Sequence, residues 1–95
     1  MGPRGTSVTV PGATYTIPAT LIMYVFCQGV CTVTFPAITI NRPIEVWALN
    51  GQVTLAGGTF VGGSINLATG AVQNGIIVTG DAITYKSDGT SWRAG

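Results

Sequence analysis

Ninety-five residues make one domain, large enough for a modest core of its own. Only 7% of them are charged, against roughly 25% in ordinary soluble domains. A net charge of +1 supplies neither a basic stripe for nucleic-acid phosphates nor an electrostatic grip on an anionic membrane, so we expect neither as a partner.

Threonine, valine, isoleucine and glycine dominate, and no segment carries a 3.6-residue apolar period, so the expected class is all-β. Seven charges spread over a folded surface on the order of 5,000 Å² leave much of it apolar or weakly polar. Part of that surface is therefore expected to be buried against other copies of the chain, as an obligate homo-oligomer.

Met1 to Gly5 holds two glycines, Pro3 and Arg4, and reads as a mobile arm that orders on a partner; residues 6–95 read as a single β domain. No charged start followed by an apolar stretch marks a secretory leader there. Gly2 and Thr6 fit a loose acylation pattern, but no basic cluster or second acylation candidate lies nearby to support anchoring.

Ser7 to Val10 alternates as a short strand, Pro11-Gly12 is a turn, and Ala13 to Ile17 alternates again until Pro18. Leu21 to Cys27, the longest apolar run, is far short of the ~20 residues a spanning helix needs. With Gln28-Gly29-Val30 and Cys31 to Phe35 it reads as a hairpin, Gly29 being available for a positive φ. That register sets Cys27 against Cys31, Val25 against Val33 and Met23 against Phe35 on an apolar core face. Ile22, Tyr24 and Phe26 then line the reverse face, where three large apolar side chains in a row suit a subunit contact better than solvent.

Pro36 and Pro43 bracket an irregular or edge segment. Ile44 to Leu49, Asn50-Gly51 and Gln52 to Leu55 form the strongest short hairpin signal, pairing Ala48 with Val53 and Val46 with Leu55. Glu45 and Trp47 lie on its outer face. Gly57 to Gly75 is glycine-rich, and its register is not legible. No heptad, collagen triplet or clear internal repeat is present.

Ile76 to Arg93 reads as a meander. A Gly80-Asp81 turn sets Ile76 against Tyr85, and a primed Asp88-Gly89 turn sets Tyr85 against Trp92. Both put Ile76, Val78, Ile83, Tyr85 and Trp92 on one face and Ile77 on the other.

The residues offer little for catalysis, and we expect no enzyme. There is no histidine, the usual general base and metal ligand. Of the three carboxylates, Asp81 and Asp88 sit where turns want aspartate for backbone reasons. Two thiols without histidine fall short of a four-ligand metal site, and no cofactor is expected. Cys27 and Cys31 could form a disulfide across the hairpin, remain two buried thiols, or bridge subunits. Trp47 beside Glu45 suits a sugar-stacking platform, but a tryptophan filling an oligomer contact is the favoured reading. Lys86 and Arg93 read as solvated charges.

The order Thr32-Val-Thr-Phe-Pro-Ala37, Arg42-Pro-Ile-Glu-Val46, Asn50-Gly-Gln-Val-Thr-Leu55, Gly57–Gly63 and Asp81-Ala-Ile-Thr-Tyr-Lys-Ser-Asp-Gly-Thr-Ser-Trp-Arg93 resembles small β-structured modules of tailed-bacteriophage virion proteins. The likeness spans roughly residues 20 to 95, and Ser87 to Trp92 is its most telling piece. Such modules occur in tail fibres, tail spikes and capsid-surface proteins, and are typically trimeric. A free-standing chain this small resembles a head decoration (cement) protein more than a fibre tip.

The resemblance thus implies a homotrimeric antiparallel β-sandwich or small β-barrel on the virion, docked on the major capsid protein, with Pro3 and Arg4 in a capsid-contacting arm. A tail-fibre or spike module binding a host receptor or glycan through Trp47 is the alternative. The cysteine pair is not part of the family's pattern.

Overall fold

The computed structural model describes residues 6–18, 22–37 and 43–94. Every regular element among them is a strand. In chain order these are β1 (Thr6–Val10), β2 (Ala13–Thr16), β3 (Ile22–Cys27), β4 (Cys31–Thr34), β5 (Ile44–Ala48), β6 (Val53–Ala56), β7 (Phe60–Val61), β8 (Ile76–Ile77), β9 (Ala82–Ser87) and β10 (Trp92–Ala94). They form two sheets. The first has the order β1-β3-β5-β9-β10-β7 and the second β2-β4-β6-β8.

The two hairpins expected over residues 21–35 and 44–55 do not form. β3 pairs in parallel with β1 and β5, while β4 pairs in parallel with β2 and β6. Each expected hairpin is instead an arch whose two strands enter different sheets. Successive arches stack as three rungs, β1–β2, β3–β4 and β5–β6. The all-β class holds, but the pairing is mixed and not wholly antiparallel.

Hairpin and arch share one sequence pattern because alternation reports only which residues point inward. In a hairpin the inward residues share one sheet face. In an arch they face each other between two sheets. Val25, Cys27, Cys31 and Val33 are therefore in the core as expected, though for a different reason. Inward positions stack into columns of like residues from rung to rung. Val8, Val25 and Val46 are in register, as are Val10, Cys27 and Ala48. Across the core the columns are Cys31 with Val53 and Val33 with Leu55.

The turns explain why arches form. Gly29 and Gly51 do not adopt the positive φ a primed hairpin turn would need. They are required for close approach instead. A Cβ on Gly51 would lie 2.5 Å from the Gly29 carbonyl carbon, and one on Gly29 would lie 2.7 Å from the Pro11 oxygen. Backbone bonds then tie turn to turn: Gln28 N donates to Val10 O at 2.8 Å, Leu49 N to Cys27 O at 2.9 Å and Ala13 N to Val30 O at 3.0 Å.

The C-terminal strands close one end of the stack. β9 runs antiparallel to β5, and β8 antiparallel to β6. β8 and β9 thus lie in different sheets, so the Gly80-Asp81 turn is also an arch. Ile77, in register with Val53, is fully buried, whereas Ile76 and Val78 are only half-buried. This reverses the expected facing of that segment, because β8 takes its register from β6 and not from β9.

β9 and β10 do pair antiparallel, with Ser87 opposite Trp92 and Tyr85 opposite Ala94. The connecting loop is longer than the expected primed turn. The register slips by an even step, so Tyr85 and Trp92 keep their common inward face. β10 also pairs in parallel with β7.

Candidate assembly surface and disulfide

The parallel register decides what shares the outer face of the first sheet. One row across the strands is Thr9, Phe26, Trp47 and Ala82; the next is Ser7, Tyr24, Glu45 and Thr84. Phe26 and Trp47 are direct neighbours, with ring centroids 5.7 Å apart and planes tilted by 43°. Such aromatic cross-strand pairs stabilise a sheet by up to about 1 kcal/mol relative to alanines.

Tyr24 and Phe26 are half-buried, and Trp47 is 37% exposed. The sequence placed Tyr24 and Phe26 on one hairpin and Trp47 on another; the stack brings the three onto one surface. A cleft of about 100 Å³ opens beside them, lined by Tyr24, Pro43, Glu45 and Thr84. The Ile22 side chain, and Pro3 and Arg4 of the arm, lie outside the described residues.

Cys27 and Cys31 are joined as a disulfide with a Cα–Cα distance of 6.3 Å. It links β3 of one sheet to β4 of the other beneath the Gln28–Val30 turn, with both residues in the core.

The carboxylates are engaged in different ways. Asp88 Oδ1 accepts from Thr90 N at 2.9 Å and Ser91 N at 2.7 Å, and Oδ2 bonds the Arg93 guanidinium. The Arg93 bond, supported by those two amides, holds its carboxyl down at about 2. Arg93 is thus ion-paired and not merely solvated. Asp81 has a role the sequence did not show. Its Oδ2 accepts from Ser64 Oγ at 2.7 Å, while Ser64 Oγ accepts from Val78 N at 3.0 Å. Ser64, one of the two buried polar residues among those described, thereby pins the glycine-rich segment to the Val78–Asp81 turn.

That segment forms a small outward loop closed by an Ile65–Val72 bridge. Leu67 at its tip is 95% exposed, and Ile65 and Val72 are exposed beside it. Hollows of about 500 Å³ lie next to the loop, lined in part by Ile65, Leu67, Val78 and Thr79. Sequence reasoning missed it because isolated apolar residues among glycines show no period.

The C-terminal strands β7 to β10 cap the rungs, and beneath them Phe35 meets Phe60, Tyr85 and Trp92 edge to face at centroid distances of 5.1, 5.8 and 5.0 Å. Tyr85 OH donates to Gly62 O at 2.8 Å, and burial pushes its hydroxyl up to about 12 despite a lowering contribution from the Gly75 amide. Among the described residues, no group of three or more His, Cys, Asp or Glu side chains could hold a metal ion. No protein-family model, curated protein or solved structure matches the chain.

Proposed function

We propose that this chain is a non-enzymatic structural protein of a bacteriophage virion, assembled as a homotrimer and decorating the capsid. The observation that carries the reading is the Tyr24–Phe26–Trp47 surface on the outer face of the first sheet. Aromatic side chains are enriched at the centres of protein interfaces. The sparse charge supports it: four basic and three acidic side chains serve the 5152 Å² a single copy exposes, and none of them lies between Glu45 and Asp81.

Three copies packing these faces together bury the aromatics, and the trimer acts by mass action. A protein that binds only the assembled lattice stabilises that lattice by its binding free energy.

A glycan-binding tail module is the second reading. It is favoured by the cleft between Tyr24, Pro43, Glu45 and Thr84, which sets the Glu45 carboxylate beside the half-buried Tyr24 ring. Trp47→Ala separates the two. Under the first reading the variant loses its trimeric mass; under the second it keeps its mass and loses glycan or cell binding. Antibody label seen by electron microscopy over the whole head supports decoration, and label confined to tail ends rejects it.

A further inference from the structure

The two ends of the rung stack are not alike. At the C-terminal end, antiparallel β9 and β8 cover the edges of β5 and β6. At the other end β1 and β2 are edge strands, and among the described residues no strand pairs with their outer sides. Successive residues of a strand direct their backbone groups to opposite sides. Val10 O accepts from Gln28 N and Ala13 N donates to Val30 O, so Val8, Val10, Ala13 and Tyr15 bond inward to the next rung. Ser7, Thr9, Thr14 and Thr16 therefore present their N–H and C=O groups outward.

The side chains tell the same story. Val8 is in register with Val25, and Tyr15 with Val33. Val25 and Val33 are 0% exposed, whereas Val8 and Tyr15 pack on the core but remain only partly buried. Among the described residues, what the first rung lacks, compared with the second, is a paired strand on its outer side.

We propose that this end docks on the same end of a second copy, edge to edge, about a two-fold axis through Val8 and Tyr15. Ser7 then pairs with Thr9 of the partner, and Thr14 with the partner's Thr16, continuing both sheets antiparallel across the junction. The axis is set by the fold: Val8 and Tyr15 are equally far from the Pro11-Gly12 turn, so one axis serves both sheets.

A second copy is the fitting occupant for two reasons. The opposite edges of the two sheets are β7 and β8, of two residues each, too short to carry a head-to-tail ladder, so the longer β1 and β2 edges pair with each other in a closed, isologous contact. From Ser7 to Thr16 the sequence has no charge, so two identical edges meet without like-charge repulsion, and none of the charged residues that usually guard exposed edges is present. The contact uses a different surface from the proposed trimer interface, and the two can fail independently.

Proline tests it, because proline is tolerated on an edge strand where the lost N–H faced outward. Thr9→Pro and Thr16→Pro, alone or together, should halve the particle mass measured by light scattering while leaving the circular dichroism of the fold intact. Val8→Cys should form an intermolecular disulfide on mild oxidation, since residues on such an axis sit about 4.5 Å apart at Cα. In the unaltered protein, amide exchange at Ser7 and Thr9 should be slowed at high concentration.

Unchanged mass in folded proline variants, no Val8→Cys cross-link, or fast exchange at Ser7 and Thr9 at every concentration would each overturn the proposal. So would protection of those amides in a particle with the mass of one chain. Loss of mass in Trp47→Ala alone would leave it standing and speak only to the trimer.

Discussion

From Thr6 to Ala56 the described interior is mostly aliphatic, with valines, Ile17, Ile44, Ala48, Leu55 and a disulfide around the ring of Phe35; from Phe60 to Ala94 it is mostly aromatic, with Phe60, Tyr85 and Trp92 meeting Phe35 edge to face beside Ile77. In the rungs each inward position lies directly above its equivalent, as in the columns Val8, Val25, Val46 and Tyr15, Val33, Leu55. The cap ends the repeat. Phe60, Tyr85 and Trp92 pack on Phe35, which follows β4 and whose N–H donates to Ala56 O of the third rung at 2.8 Å, and antiparallel β9 and β8 pair with the edges of β5 and β6. The rungs thus draw stability from register and the cap from bulk.

If that division is right, truncating the cap should cost more than truncating a rung. Trp92→Ala should lose about 3–5 kcal/mol of stability in denaturant titration, against about 2 kcal/mol for Val25→Ala. Equal losses would erase the distinction. Replacing both Cys27 and Cys31 by alanine should lower stability by about 2 kcal/mol, the chain-entropy value for so short a loop. A loss near zero would mean that the Gln28–Val30 turn holds its arch without the bridge.

Tyr85→Phe should cost about 1 kcal/mol through the lost bond to Gly62 O, and it should also change the alkaline limb. Burial raises the Tyr85 hydroxyl from the ordinary tyrosine value of 10.0 to about 12 in the fold, so the unfolded chain ionises first. Stability should then fall as pH rises from 10 toward 12 in the native protein, and less in the variant. The smallest effect belongs to the exposed Asp88–Arg93 pair. The Asp88 carboxyl is depressed from 3.8 to about 2, so its contribution is present above pH 3.8 and lost as pH falls toward 2. Asp88→Asn should flatten that acid limb slightly while barely moving the midpoint at pH 7.

The sequence carried the inward residues of the rungs but not their partners. Val25, Val33, Val46 and Val53 were legible as core because alternation survives any pairing. Whether Val25 lies beside Val46 or Val33 depends on which sheet each strand joins, and period-two patterning is silent on that. The repeat itself was hidden because the rungs are unequal: the step from Cys27 to Ala48 is longer than that from Val10 to Cys27. Glycine misled in the same way. Gly29 and Gly51 look like turn residues chosen for positive φ, yet they serve the close stacking of one turn on another.

Of the candidate surface, Tyr24, Phe26 and Trp47 were each legible as apolar residues on an outer face, but their union on one face required the parallel register. The Ser64–Asp81 link and the Leu67 loop left no trace, since single contacts among glycines carry no period.

The proposed function requires cohesion between copies, and particle mass tests it directly. Light scattering on the purified chain at micromolar concentration should give a multiple of 9.7 kDa, three or, with paired ends, twice that. A monodisperse species of 9.7 kDa under those conditions would contradict the account.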